Sequence, residues 1–175
     1  LENPRKWREV AKRNRLKNPN LIYPGKVLHI PVSLLKGIPA EGLVNFLKGR
    51  AEIQAEGSKA WKPLLIRERV REGSRIKTYD NSSVEITFED GNSFIQSPNT
   101  TVGLATARKT KAHLARYKLL LDLGKTITRI KTATGQETRF EITTPSSICA
   151  ARGTVFRTSV DADDVTRSEV LQGIV

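Results

Sequence analysis

From Ala51 onward apolar and polar residues alternate with a period of two, and this alternation commits the larger part of the chain to half-buried strands. Ile53 and Ala55 alternate with Glu52, Gln54 and Glu56, while Val84, Ile86 and Phe88 alternate with Glu85, Thr87 and Glu89. Asp90-Gly91 follows at once and predicts a two-residue type I′ hairpin, whose two central positions both need positive φ. Phe94 and Gln96 then lie on the returning strand, which Pro98-Asn99 ends. Further strands are expected over residues 101–107, 117–123, 127–131, 139–143, 154–160 and 167–171, punctuated by Gly124 and Gly135. The stretch KTKAHLAR at 109–116 reads as a helical turn or a cationic loop. The fold class is therefore mainly β, and the pattern leaves a sandwich and a stacked, solenoid-like arrangement open.

The beginning of the chain has a different rhythm. Asn3 before Pro4 is a helix N-cap followed by proline at the first helical position. Trp7, Val10, Ala11 and Asn14 fall at i, i+3, i+4 and i+7, which places one packing stripe on a helix otherwise covered by Arg5, Arg8, Lys12 and Arg15. Asn18-Pro19-Asn20 stops the helix by residue 17, and Tyr23-Pro24-Gly25 is a turn. A short strand over 26–30 is expected before Pro31. Residues 32–49 read as a connector whose Leu43, Val44, Phe46 and Leu47 dock on the following domain.

Thirty Lys and Arg against eighteen Asp and Glu give a net charge of +12. Residues 1–31 carry eight cations and two anions, so half of that excess sits on less than a fifth of the sequence. This pattern suits an anionic surface or polymer as neighbour, or simply a solvated face. No apolar run reaches the roughly 20 residues that span a bilayer, and LENPRKWREV contains no signal-peptide h-region. The single cysteine, Cys149, excludes an intrachain disulfide and offers no metal-ligand spacing, so no metal and no cofactor are expected.

The segment NPRKWREVAKRNRLKNPNLIYPGKVLHIP resembles the second half of a LysM module, carried by the helix with Trp7 and the turn Asn18 to Gly25. The resemblance implies binding of peptidoglycan or another N-acetylglucosamine-containing glycan in a shallow groove between two loops. Asn18, Asn20, Leu21, Ile22, Tyr23 and Gly25 would form one wall, or else only make the turn. The first LysM strand and its loop have no counterpart here, and a remnant of this size needs support from a neighbour.

From about Gly49 to the end the chain resembles a FecR domain. The residues that carry this are Trp61-Lys62-Pro63-Leu64, Glu72 to Thr78, Val84 to Gly91, Ser97-Pro98-Asn99 and Phe140 to Pro145. The most specific is Ala151-Arg152-Gly153-Thr154-Val155-Phe156. Ser74 and Ala151 depart mildly from the family pattern, where an acidic residue and a valine are usual. The resemblance implies a non-enzymatic, exported, β-rich module of the periplasm or cell envelope. Thr144, Pro145, Arg152, Gly153, Thr154 and Phe156 are its signature, with Arg152 beside Gly153 a structural clamp at a tight bend. The domains are then a partial LysM module at 1–31, the connector at 32–49, and a FecR-like β domain at 50–175.

Catalysis is not expected. His29 and His113 accompany no nucleophile motif, and the carboxylates are scattered along exposed strand faces. Aromatic residues make up only 6% of the chain and follow no interleaved stacking pattern, which argues against nucleic acid despite a pI near 10.1. The expected function is a peptidoglycan-associated envelope scaffold that offers its β domain to another envelope protein or ligand. The alternatives are a basic polyanion- or nucleic-acid-binding protein, and a sigma-factor-regulator signalling module.

Overall fold

The computed structural model describes residues 4–30, 37–109, 115–131 and 138–172. Asn3, Pro31, residues 32–36, residues 110–114 with His113, and Gly135 lie outside the described residues, as do the expectations placed on them.

A 3₁₀ turn over Pro4–Lys6 leads into α1 (Trp7–Arg13), which buries Val10 and Ala11 and half-buries Trp7 and Asn14. The helix ends before residue 17. Arg15 adopts a left-handed φ of 48°, its N–H bonds to the Lys12 carbonyl, and the Leu16 N–H reaches back to that of Ala11. This is a Schellman closure with arginine where glycine is usual. The strand expected over 26–30 is absent, because an extended segment becomes a ladder strand only beside a partner. Asn14 substitutes for one: its Oδ1 accepts from the His29 N–H at 2.6 Å and its Nδ2 donates to the His29 carbonyl at 2.8 Å.

Among the described residues fourteen strands follow: β1 (Ile38–Pro39), β2 (Gly42–Lys48), β3 (Ala51–Gln54), β4 (Lys62–Pro63), β5 (Arg69–Val70), β6 (Arg75–Thr78), β7 (Ser83–Phe88), β8 (Ser93–Gln96), β9 (Thr101–Lys109), β10 (Ala115–Arg129), β11 (Thr138–Thr143), β12 (Ile148–Ala151), β13 (Val155–Val160) and β14 (Thr166–Gln172). Strand accounts for 52% of the chain and helix for 6%, so the molecule is mainly β. The main path runs β4-β3-β6-β9-β10-β8-β7-β2-β5, with β1 added beside β9. Pairing is antiparallel throughout the described residues except between β10 and β11.

Strand β10 joins the two layers. Its first half pairs with β9 and β11, and from Gly124 onward it pairs with β8 and β13. The sequence suggested two strands, at 117–123 and 127–131, but Gly124 bends one continuous strand instead of ending it. Gly124 has φ +98°, and a Cβ there would lie 2.6 Å from the Thr100 Cα, so only glycine fits this crossing.

Two other expectations change. Residues 38–48 are not a connector but supply β1 and β2, since Val44 is fully buried and β2 pairs with β7 along its length. The Asp90-Gly91 turn is a three-residue loop: the Gly91 N–H bonds to the Phe88 carbonyl, the Phe88 N–H bonds to that of Asn92, and Gly91 has φ +80° while Asp90 does not enter positive φ. A type I′ turn needs both positions there.

The inner faces of the two layers share one core, as in a sandwich. Phe88 on β7 stacks on Tyr117 of β10 at 4.1 Å between centroids, and Phe140 of β11 packs 5.5 Å from Tyr117. Val84, Ile86 and Phe88 are all buried, each contributing about 1.5–3 kcal/mol. No helix among the described residues is long and apolar enough to cross a membrane.

Candidate recognition surfaces

The Asn18 to Gly25 loop is held from beneath. The indole N–H of Trp7 donates to the Pro19 carbonyl at 3.2 Å, Asn18 Oδ1 accepts from the Asn20 N–H, and the Lys26 N–H closes the turn on the Tyr23 carbonyl. Gly25 has φ +83° and open space around its Cα. Leu21, Ile22 and Tyr23 point outward, 52%, 45% and 67% exposed, and none of them belongs to the core of the sheets. All six expected glycan residues lie on this one loop, which is made of two successive turns, Asn18 to Leu21 and Tyr23 to Lys26. Asn18 spends its side-chain oxygen on the turn itself, which leaves the apolar triplet and Asn20 as its presented groups.

The signature residues divide between two places. Thr144, Pro145 and the hydroxyls around them form a seam between the two layers. Thr144 Oγ1 lies 2.7 Å from Thr166 Oγ1, Ser146 Oγ donates to the Asp164 carbonyl, and Cys149 Sγ lies 2.8 Å from Ser168 Oγ. This seam ties β12 and β14, each at an edge of its layer among the described residues, by side chains rather than by a ladder. Arg152, Gly153, Thr154 and Phe156 lie at the bend into β13, where Gly153 has φ +61° and the Thr154 carbonyl accepts from the Ile130 N–H. Thr154 and Phe156 are buried while Arg152 is exposed. Of the six signature residues, Arg152 and Pro145 are exposed and Gly153 is half-buried, while the other three are buried.

Sequence reasoning missed the outer face of β9, β10 and β11. Arg116 stands opposite Arg108 on one side and Arg139 on the other, and in the next row Lys118 stands opposite Thr106 and Glu141. Hydrogen bonding from Lys118 holds the Glu141 carboxyl below its usual range, against a smaller opposing effect of burial. Nothing in the linear spacing of 108, 116 and 139 signals this row, since it exists only through the register of one antiparallel and one parallel pairing. By contrast, a groove of about 670 Å³ near β1 and β2 has its charges already matched, Arg69 with Glu41 and Lys109 with Glu89. Among the described residues no three His, Cys, Asp or Glu side chains are grouped to hold a metal ion.

A family model described as FecR protein matches residues 74–175. The chain belongs to the FecR family. FecR proteins are associated with the cell envelope and with sigma-factor regulation. The match begins at Ser74, immediately before β6, so it contains β6 to β14, the crossing at Gly124 and the whole signature, while β1 to β5 pair with these strands from outside it. Residues 4–30 lie outside the match. No curated protein and no solved structure matches the chain.

Proposed function

We propose that the chain is a non-catalytic component of the cell envelope, in which the Asn18 to Gly25 loop docks on N-acetylglucosamine-containing glycan such as peptidoglycan and the FecR domain offers a surface to another envelope protein. The observation that carries the reading is the outward triplet Leu21, Ile22 and Tyr23 on a turn pinned by Trp7 and Asn18. Apolar side chains fixed on a pre-formed turn suit the flat faces of sugar rings, while Asn20 and the backbone suit acetamido groups. The signature residues, engaged in the bend and the seam, act as framework for that presentation.

The test is co-sedimentation of the full chain with insoluble peptidoglycan, alongside the double variant Leu21→Ala/Tyr23→Ala. The variant is expected to pellet several-fold less, at both low and physiological salt. Equal pelleting sinks the glycan reading, and release of soluble muropeptides by the purified chain sinks the non-catalytic one. Loss of wild-type pelleting on raising salt assigns the interaction to charge alone.

A second reading, a module that regulates a sigma factor, is favoured by membership of the FecR family itself. Capture of a defined envelope receptor by the FecR domain, with no glycan dependence, distinguishes it.

A further inference from the structure

On the outer face of the first layer, three arginines stand in register on adjacent strands. Arg108 on β9, Arg116 on β10 and Arg139 on β11 occupy one cross-strand row, with Lys118 one row further on the same face. Directly opposed like charges in a sheet are unfavourable, by about 0.2–1 kcal/mol per pair, so such a row is a poor device for stability alone. Arg108 is engaged by Glu72 at 2.7 Å, and Glu141 is shared between Lys118 at 3.0 Å and Arg139 at 3.4 Å. Between the rows lies a groove of about 310 Å³, lined by Thr106, Arg116, Tyr117, Lys118, Arg139 and Glu141. Two guanidinium groups, an ammonium, a hydroxyl and the Glu141 carboxylate line one concavity.

We propose that this groove binds a phosphoryl group, with Arg116 and Arg139 as forked donors, Lys118 as a point charge and Thr106 as a hydroxyl donor. The arginine fork matches pairs of phosphoryl oxygens. The rigid ladder on both sides of Arg116 fixes the spacing of the donors, so little order has to be created on binding. Glu141 is an internal competitor: its carboxylate occupies two of the cations that the phosphoryl group engages, Lys118 and Arg139. The site is separate from the glycan loop and stands whether or not that loop binds sugar.

The experiment is a titration of the ¹⁵N-labelled full chain with inorganic phosphate, followed by amide shifts at low and physiological salt. Saturable shifts centred on residues 106, 116–118 and 139–141 are expected. Arg116→Gln and Arg139→Gln each weaken binding about tenfold, Glu141→Gln tightens it, and Arg75→Gln, which removes a cation paired with Asp122 on the same face, leaves it unchanged. A spectrum retaining native dispersion qualifies each variant. Tightening by Glu141→Gln is a readout that loss of structure does not mimic. Shifts spread over the basic residues of 5–26 as strongly as over this face, or equal affinity in Arg116→Gln, Arg139→Gln and wild type, overturn the proposal. Soluble glycerol phosphate and phosphatidylglycerol vesicles are then compared: perturbation of the row by either supports the site and names its source, and perturbation by neither counts against it.

Discussion

The Tyr117 ring lies on that of Phe88 with 4.1 Å between centroids, and its hydroxyl donates to Asp90 Oδ2 at 2.6 Å, so one side chain ties β10 to both the opposite layer and the β7–β8 loop. Phe88→Ala removes the other half of this contact and is expected to cost about 3–5 kcal/mol. Tyr117→Phe keeps the ring and loses only the hydrogen bond to a carboxylate, about 1.5–3 kcal/mol. Urea unfolding at neutral pH, comparing the two variants, checks that order. An equal loss would mean that the hydroxyl contributes as much as the Phe88 ring.

The same tyrosine sets an alkaline limit. Burial first, and then the hydrogen bond to Asp90, push its phenol well above the ordinary value of 10.0. A raised folded-state pKa means that its stabilisation is complete below the unfolded pKa and is lost as pH rises beyond it. Melting temperature is therefore expected to fall above about pH 10, and Tyr117→Phe flattens that fall. The check is thermal unfolding from pH 8 to 11, and an unchanged slope in the variant assigns the alkaline loss elsewhere.

Gly124 and Gly25 share a left-handed backbone but not an environment. At Gly124 an added Cβ meets the Thr100 backbone 2.6 Å away, whereas at Gly25 it meets nothing within 4 Å. Gly25→Ala is expected to bear only the conformational term of about 1–3 kcal/mol, confined to the loop, and to leave the melting of the sheets unchanged. Gly124→Ala adds a clash at the crossing of the two layers and lowers that melting, with a loss exceeding the conformational term. Parallel denaturation of the two variants decides the matter.

Period-two patterning located most of the long strands, because burial on one face of a sheet leaves a direct mark on side-chain type. It failed where the mark is weak. Ile38–Pro39 and Lys62–Pro63 are two-residue strands, and Ile148–Ala151 shows its apolar side chain to solvent, with Ile148 65% exposed. Gly124 looked like a stop because glycine punctuates both bends and ends, and only the neighbouring Thr100 tells which. The loop at 18–25 was legible from its turn residues. The arginine row was not, since adjacency across β9, β10 and β11 is a property of register, with Arg116 and Arg139 separated by more than twenty positions in the chain.

Thr126, Thr128 and Thr154 are buried, and their hydroxyls make no hydrogen bond among the described residues, unlike Thr78, whose hydroxyl donates to the Ser97 carbonyl at 2.6 Å. Valine has nearly the shape of threonine without the hydroxyl. Thr128→Val is accordingly expected to be neutral or stabilising by up to about 1 kcal/mol, while Thr78→Val destabilises by about 1–3 kcal/mol through the groups it leaves unpaired. Chemical denaturation of both variants measures the contrast, and a loss at Thr128 equal to that at Thr78 rejects it.

Asn14 offers the sharpest test of how the Asn18 to Gly25 loop is supported. Its carboxamide makes three bonds: Nδ2 donates to the Val10 and His29 carbonyls and Oδ1 accepts from the His29 N–H, joining the end of α1 to the segment beyond the turn. Asn14→Ala deletes all three at a half-buried position, which frees the 26–30 stretch that no ladder holds. Hydrogen exchange at the His29 amide is expected to quicken by tenfold or more, given roughly 1 kcal/mol for each neutral hydrogen bond lost. Val10 and Ala11 lie outside the core cluster of the sheets, so the amides of β7, β10 and β13 are expected to keep their protection. Slowed or unchanged exchange at His29 contradicts the clamp, and loss of protection in β10 would place Asn14 within the same cooperative unit as the FecR sheets.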